Sequence, residues 1–137
     1  AYDRSLALRY DNAMVLNNYA YFLSLEGRDL ERALAMAGRA IVLEENNPTY
    51  LDTYAWVLYR LGRYDEAKKT MQQALSLDRS QSPDLQLHYG DILAALGEKF
   101  MAEVYWKKAL EGGYDDPDAI VERFRRLKEA AQTPAAP

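Results

Sequence analysis

The sequence predicts an all-α fold of stacked helix-turn-helix hairpins, an α-solenoid closed by a C-terminal capping helix. Three observations carry that prediction: an internal period of 35 residues, a proline-marked helix start once in each period, and small residues at matching places in successive helices. Gly27, Gly62 and Gly97 are evenly spaced by 35 residues, and Tyr19, Tyr54 and Tyr89 share the interval. Leu23, Leu58 and Leu93 keep it too, while Ala33, Ala67 and Ala102, and Ala40, Ala74 and Ala109, follow it to within one residue.

In this register residues 1–12 read as the second half of a helix from a truncated upstream repeat. Tyr2, Ser5, Leu6 and Leu8 stand where Met71, Ala74, Leu75 and Leu77 stand in the middle unit, so the chain is expected to be a piece of a longer array. Residues 13–47, 48–82 and 83–116 form three units. Asn47-Pro48, Ser82-Pro83 and Asp116-Pro117 each place a capping side chain before a proline suited to the first helical turn. From there an apolar stripe runs at helical spacing, as in Leu51, Tyr54, Ala55, Leu58 and Leu61, until a glycine ends the helix. A second helix follows, with Ala67, Met71, Ala74, Leu75 and Leu77 on one face.

Ala20, Ala55 and Gly90 in the first helices, and Ala33, Ala67 and Ala102 in the second, let the two helices of a hairpin approach closely. Gly62, Ala67 and Ala74 are therefore expected to be intolerant of bulk. One hairpin cannot bury its apolar face alone, and stacking supplies the cover. Residues 117–131 make the capping helix, with Ile120, Val121, Phe124 and Leu127 inward and Glu122, Arg123, Arg125, Arg126 and Glu129 outward. Residues 132–137, containing "TPAAP", have no core-forming side chains and read as a tail.

Composition narrows function. The 137 residues are 49% apolar, enough for one domain with a continuous core. A formal charge of −4 argues against nucleic acid or an anionic membrane as the main partner. There is no cysteine, which excludes disulfides and thiolate metal sites, and no apolar run of membrane-spanning length. The start has no basic segment followed by an apolar one, unlike a signal peptide. No G-x-S-x-G elbow or glycine-rich phosphate loop is present, so an enzyme is not expected and no cofactor is implied.

Three clusters invite a chemical reading, and each has a simpler one. His88, with Asp84 at i−4 and Asp91 at i+3, suggests a metal or proton-transfer site, but one helix face supplies only one strong donor, so helix electrostatics is the expectation. Asp115, Asp116 and Asp118 lack the EF-hand spacing and read as a helix cap. Arg123, Arg125, Arg126 and Lys128 are interrupted by Glu122 and Glu129 and read as a solvated face rather than a phosphate site.

The chain resembles the tetratricopeptide repeat family. The pattern W-x2-L-G-x2-Y followed by A-x3-F and A is met by Leu51-x2-Tyr54-Ala55-x2-Leu58, Ala67-x3-Met71 and Ala74 in the middle unit. The third unit has Tyr89-Gly90-x2-Leu93, Ala102-x3-Trp106 and Ala109. Leu16, Leu51 and Gln86 stand in place of the usual first tryptophan, and Ala37 replaces the large residue of the first unit. The resemblance implies a right-handed superhelix whose first helices line a concave groove for a protein or peptide.

By that resemblance the groove is lined by Asn17, Asn18, Tyr21 and Leu25, then Asp52, Thr53, Trp56, Tyr59 and Arg60, then Asp84, Leu87, His88 and Asp91. Trp56, Tyr21 and Tyr59 would anchor a ligand, with Asn18, Thr53 and His88 bonding its backbone; the alternative is that the aromatics pack within the array. Members that bind chaperone tails clamp a carboxylate with lysine, asparagine and arginine. Here Asn17, Tyr21, Thr53, Asp84 and His88 stand at those places, so a neutral or basic ligand is expected instead. A spacer or self-associating segment is the competing reading. Units such as "LNNYAY" and "LHYGDIL" look like those of long bacterial arrays, many attached to envelope assembly or secretion, which favours the cell envelope over the cytoplasm.

Overall fold

A computed structural model describes residues 12–132; the expectations for residues 1–11 and for "TPAAP" lie outside the described residues. Within them are seven helices and no strand: α1 (Ala13–Glu26), α2 (Leu30–Leu43), α3 (Pro48–Arg60), α4 (Tyr64–Leu77), α5 (Pro83–Ala95), α6 (Lys99–Glu111) and α7 (Pro117–Gln132). Compact packing divides them into two units that part between Ser80 and Gln81, one holding α1 to α4 and the other α5 to α7. Each unit contains helices that pair as hairpins: α1 with α2, α3 with α4, and α5 with α6.

The helix starts follow from their caps. Asn12 Oδ1 accepts from the Val15 N–H at 3.0 Å, and Asn47 Oδ1 accepts from Thr49 and Tyr50 N–H at 2.9 and 3.2 Å, with Pro48 in the first turn. Asp116 Oδ1 accepts from Ala119 N–H at 3.2 Å. The hydroxyl of Ser82 does not cap α5, and its backbone carbonyl begins the helix by accepting from Gln86 N–H.

The periodic leucines and glycines act together at the helix ends. Leu23, Leu58 and Leu93 carbonyls accept from the N–H of Arg28, Arg63 and Glu98, five residues on, across Gly27, Gly62 and Gly97. Those glycines have φ of 69°, 81° and 82°, the left-handed conformation that this helix stop requires. A Cβ at Gly62 would meet nothing within 4 Å, so its restriction is one of backbone angle; the expected intolerance of bulk is corrected there.

In the first unit Ala20, Leu23, Ala33, Ala37 and Val57 form a buried cluster, with Tyr19, Tyr54 and Leu61 packed at its edge. A second cluster joins Ala13, Leu16, Ala40 and Tyr50. Ala37, small where the repeat pattern has a large residue, is fully buried in the first cluster, and the Tyr54 ring lies 3.5 Å from where a Cβ on its neighbour Gly38 would stand. The space left by small residues on α2 is thus approached by side chains from α3.

In the second unit α5 is buried around most of its circumference, at Leu85 and from Leu87 to Leu93. Ala102, Trp106 and Ala109 form the buried face of α6, and Tyr89 meets Tyr105 edge to face at 4.6 Å. On α7, Ile120 is fully buried, but Val121 is 56% exposed and Arg123 turns inward, which corrects the assignment of faces from sequence. Successive helical residues turn by about 100°. Arg123, three after Ile120 and four before Leu127, therefore falls within the apolar stripe, while Val121 falls outside it.

Candidate functional site

In the first unit the proposed groove residues sit on α1 and α3, which pack against each other. Trp56 and Tyr59, one turn apart on α3, hold their rings 4.7 Å apart at 32°. Tyr59 also contacts Tyr64 of α4 at 5.5 Å, so the aromatic surface continues across the hairpin turn. All three are half-buried: their bodies are fixed by packing while part of each ring reaches solvent. Tyr64 was missed in the sequence, where it stands directly after the turn and outside the first-helix face; only its closeness to Tyr59 across Gly62 signalled it.

On α1, Asn18 is exposed, Tyr21 half-buried and Leu25 59% exposed. Arg60 is exposed at the end of α3, and its Nη2 lies only 2.9 Å from where a Cβ on Gly27 would stand, linking the C-terminal ends of α1 and α3. Asn18, Tyr21, Leu25, Trp56, Tyr59 and Arg60 are thus reachable by a ligand on two packed helices of one unit.

Other expected groove residues are buried. Asn17 is 5% exposed and donates through Nδ2 to Asn18 Oδ1 at 3.4 Å; its Oδ1 is buried without a hydrogen-bond partner. Asp52 and Thr53 are 7% and 3% exposed, and Thr53 Oγ1 donates to the Thr49 carbonyl at 3.3 Å. These polar groups shape the α1–α3 packing more than they present themselves to solvent.

In the second unit Asp84 is exposed, whereas Leu87, His88 and Asp91 are buried. Asp91 is held by a bidentate ion pair, with Arg123 Nε donating to Oδ1 at 2.7 Å and Nη2 to Oδ2 at 2.9 Å. Trp106 Nε1 donates to the same Oδ1 at 2.9 Å. Asp91 is therefore engaged inside the unit by Arg123 and Trp106, and among the described residues no three potential metal ligands come together. The Tyr114 phenol is pushed above its ordinary value, chiefly by burial and then by Asp84.

An open depression of about 310 Å3 lies elsewhere on the first unit, lined by Gly38, Ile41, Leu51, Tyr54, Thr70 and Gln73; it contains none of the predicted residues. Among the described residues no helix is long and apolar enough to cross a membrane.

Comparison with known proteins agrees with this geometry. Residues 48–80, covering α3 and α4, match the family model described as tetratricopeptide repeat. A TPR repeat-containing protein of Pseudomonas aeruginosa is 30% identical over 86 residues, 63% of this chain, and the chain spans 14% of that protein's length. The type III secretion translocator chaperone SycD of Yersinia enterocolitica, in an alternative dimer, superposes with a TM-score of 0.73 at 19% identity, covering 90% of this chain and 96% of that one. The first TPR of Spaghetti (RPAP3), bound to the HSP90 peptide SRMEEVD, gives 0.74 at 19% identity, covering 88% and 94%. These structural likenesses are of fold.

Proposed function

We propose that the chain, whose residues 48–80 match the tetratricopeptide repeat model, is a member of that family and a non-catalytic protein-interaction scaffold that takes an extended or helical peptide segment on the α1–α3 surface of its first unit. The observation that carries this reading is the contiguous, half-buried set of Trp56, Tyr59 and Tyr64 rings. Aromatic side chains held this way offer large apolar contact with little conformational entropy left to lose, the property of binding hot spots. Asn18, Tyr21 and Leu25 on α1 supply polar and apolar contacts beside them.

The ligand this surface fits is neutral and apolar-rich. The expectation from sequence was a neutral or basic ligand; of the acids on the expected groove face, Asp84 is exposed, Asp52 is buried and Asp91 is paired with Arg123. An acidic chaperone tail of the kind seen with the Spaghetti domain finds no lysine at the corresponding places. Scaffold members act without chemistry of their own, consistent with the absence of a catalytic motif from the sequence.

A pull-down with the immobilised chain, run beside Trp56→Ala with Tyr59→Ala and followed by mass spectrometry, tests the proposal. The expected result is a protein recovered by the natural chain and lost by the double variant. Equal recovery from both sinks the surface assignment. A second reading, self-association or spacing within a larger repeat protein, is favoured by Met14, Phe22 and Leu25, which leave α1 with exposed apolar side chains. Mass rising with concentration in light scattering, with no other protein recovered, would select it.

A further inference from the structure

Asp91 and Trp106 form a corner whose occupant is a guanidinium group. The carboxylate has 10% of its side-chain surface exposed, and Trp106 Nε1 fixes its orientation by donating to Oδ1. The Arg123 fork then donates to both oxygens, and its remaining nitrogen, Nη1, donates to the Ala119 carbonyl of its own helix at 3.0 Å. Such paired donors match a planar carboxylate in a way that a lysine ammonium cannot. Apolar groups flank this polar centre, with Ile120 fully buried and Phe124 edge-on to the Trp106 indole at 5.7 Å, and the half-buried Tyr114 phenol lies within electrostatic reach of Asp91 and Arg123.

We propose that this corner is a recognition site for an arginine presented by an amphipathic helix, with α7 as its resident occupant and built-in competitor. The partner is a helix carrying apolar residues three positions before, one after and four after an arginine, as Ile120, Phe124 and Leu127 flank Arg123. Charge complementarity selects the arginine, because an occupant lacking a cation leaves a carboxylate buried without its counter-charge.

Two features bear on release of the resident helix. Its tether holds Gly112, where a Cβ would stand 3.3 Å from the Pro83 ring of α5, and Gly113, at φ 88° with nothing within 4 Å of where a Cβ would be. Its outer face carries its own ion pairs, Arg125 with Glu122 and Glu129, and Arg126 with Glu122, all within α7. Those pairs persist when the helix leaves, so undocking gives up the inner face alone. The tether in turn gives α7 a high effective concentration, which an incoming helix must outcompete.

The site uses residues of α5, α6 and α7, whereas the scaffold proposal is tested at Trp56 and Tyr59, so the two can fail separately. A fluorescent peptide of residues 117–132 is titrated into the full chain carrying Arg123→Ala, beside the same peptide with its own Arg123→Ala change. The arginine peptide is expected to bind on the order of tenfold or more tightly, the scale of a charged hydrogen-bonded pair. Adding Asp91→Asn to the chain should erase that preference. Equal binding of the two peptides overturns the proposal. Hydrogen exchange on the unaltered chain decides it even if that variant does not fold: α7 amides must exchange faster than those of α5 and α6, and exchange only with the whole unit makes α7 a permanent part of the core.

Discussion

Gly90 of α5 lies against the indole of Trp106 on α6 so closely that a Cβ on Gly90 would stand 2.4 Å from Trp106 Cδ1 and 2.6 Å from Nε1. The Ala102 carbonyl would be 3.2 Å away. The indole has little room to retreat, being 4% exposed and bonded to Asp91. Gly90→Ala improves helix propensity by about 1 kcal/mol, but overpacking a core costs about 1–3 kcal/mol, and a shifted Nε1 also weakens its bond to Asp91 at about 1 kcal/mol. The clash wins. A net loss of about 1–3 kcal/mol is expected in denaturant unfolding, with altered Trp106 near-ultraviolet dichroism; unchanged or raised stability would refute the close approach.

Gly62→Ala should destabilise for another reason. With φ at 81° and open space around the missing Cβ, the cost is backbone strain alone, about 1 kcal/mol. Substituting a larger residue there should cost no more than alanine does. A steep dependence on side-chain size, measured as unfolding midpoints across alanine, serine and leucine at position 62, would show that bulk matters after all.

Ala67→Leu tests the packing of the α3–α4 hairpin. Ala67 is fully buried on α4, and the inserted side chain must part the helices or adopt a strained rotamer. The expected loss is about 1–3 kcal/mol, read from a thermal or denaturant melt. An unchanged melt would mean that the hairpin interface can absorb a branched side chain, contrary to the close packing that its alanines permit.

Most of the fold was legible because the period of 35 residues repeats local instructions. The glycines that require positive φ, the leucines whose carbonyls close the helix ends and the asparagine and aspartate caps before proline are short-range signals. Sites were less legible because they depend on which polar groups packing removes from solvent. Asp52 and Thr53 occupy the expected helix face and are nonetheless buried, and Asp91 meets Arg123 across 32 residues of sequence. Arg123 was placed outward because it is charged; its angle on α7, between Ile120 and Leu127, would have placed it inward.

The outer face of α7 makes a pH prediction. The Glu122 carboxyl is lowered from its ordinary 4.5 to about 2, first by the hydrogen bond from Arg125; loss of hydration, the next largest effect, opposes this, and the hydrogen bond from Arg126 adds to the lowering. A carboxylate depressed in the folded state contributes stability that is fully present above its unfolded value and is lost as pH falls through its folded value. Acidification from about pH 5 towards pH 2 should therefore fray α7 by weakening the pairs to Arg125 and Arg126. The pairs are solvent-exposed, so the effect is modest and shrinks in high salt. Other carboxylates titrate over the same range, and Arg125→Gln isolates this one: by NMR the Glu122 midpoint should rise towards 4.5, and the acid sensitivity of α7 amide exchange should diminish. A Glu122 midpoint that already lies near 4.5 in the unaltered chain would mean that these arginines do not hold the carboxylate in solution, leaving Arg123 and the apolar stripe to order α7.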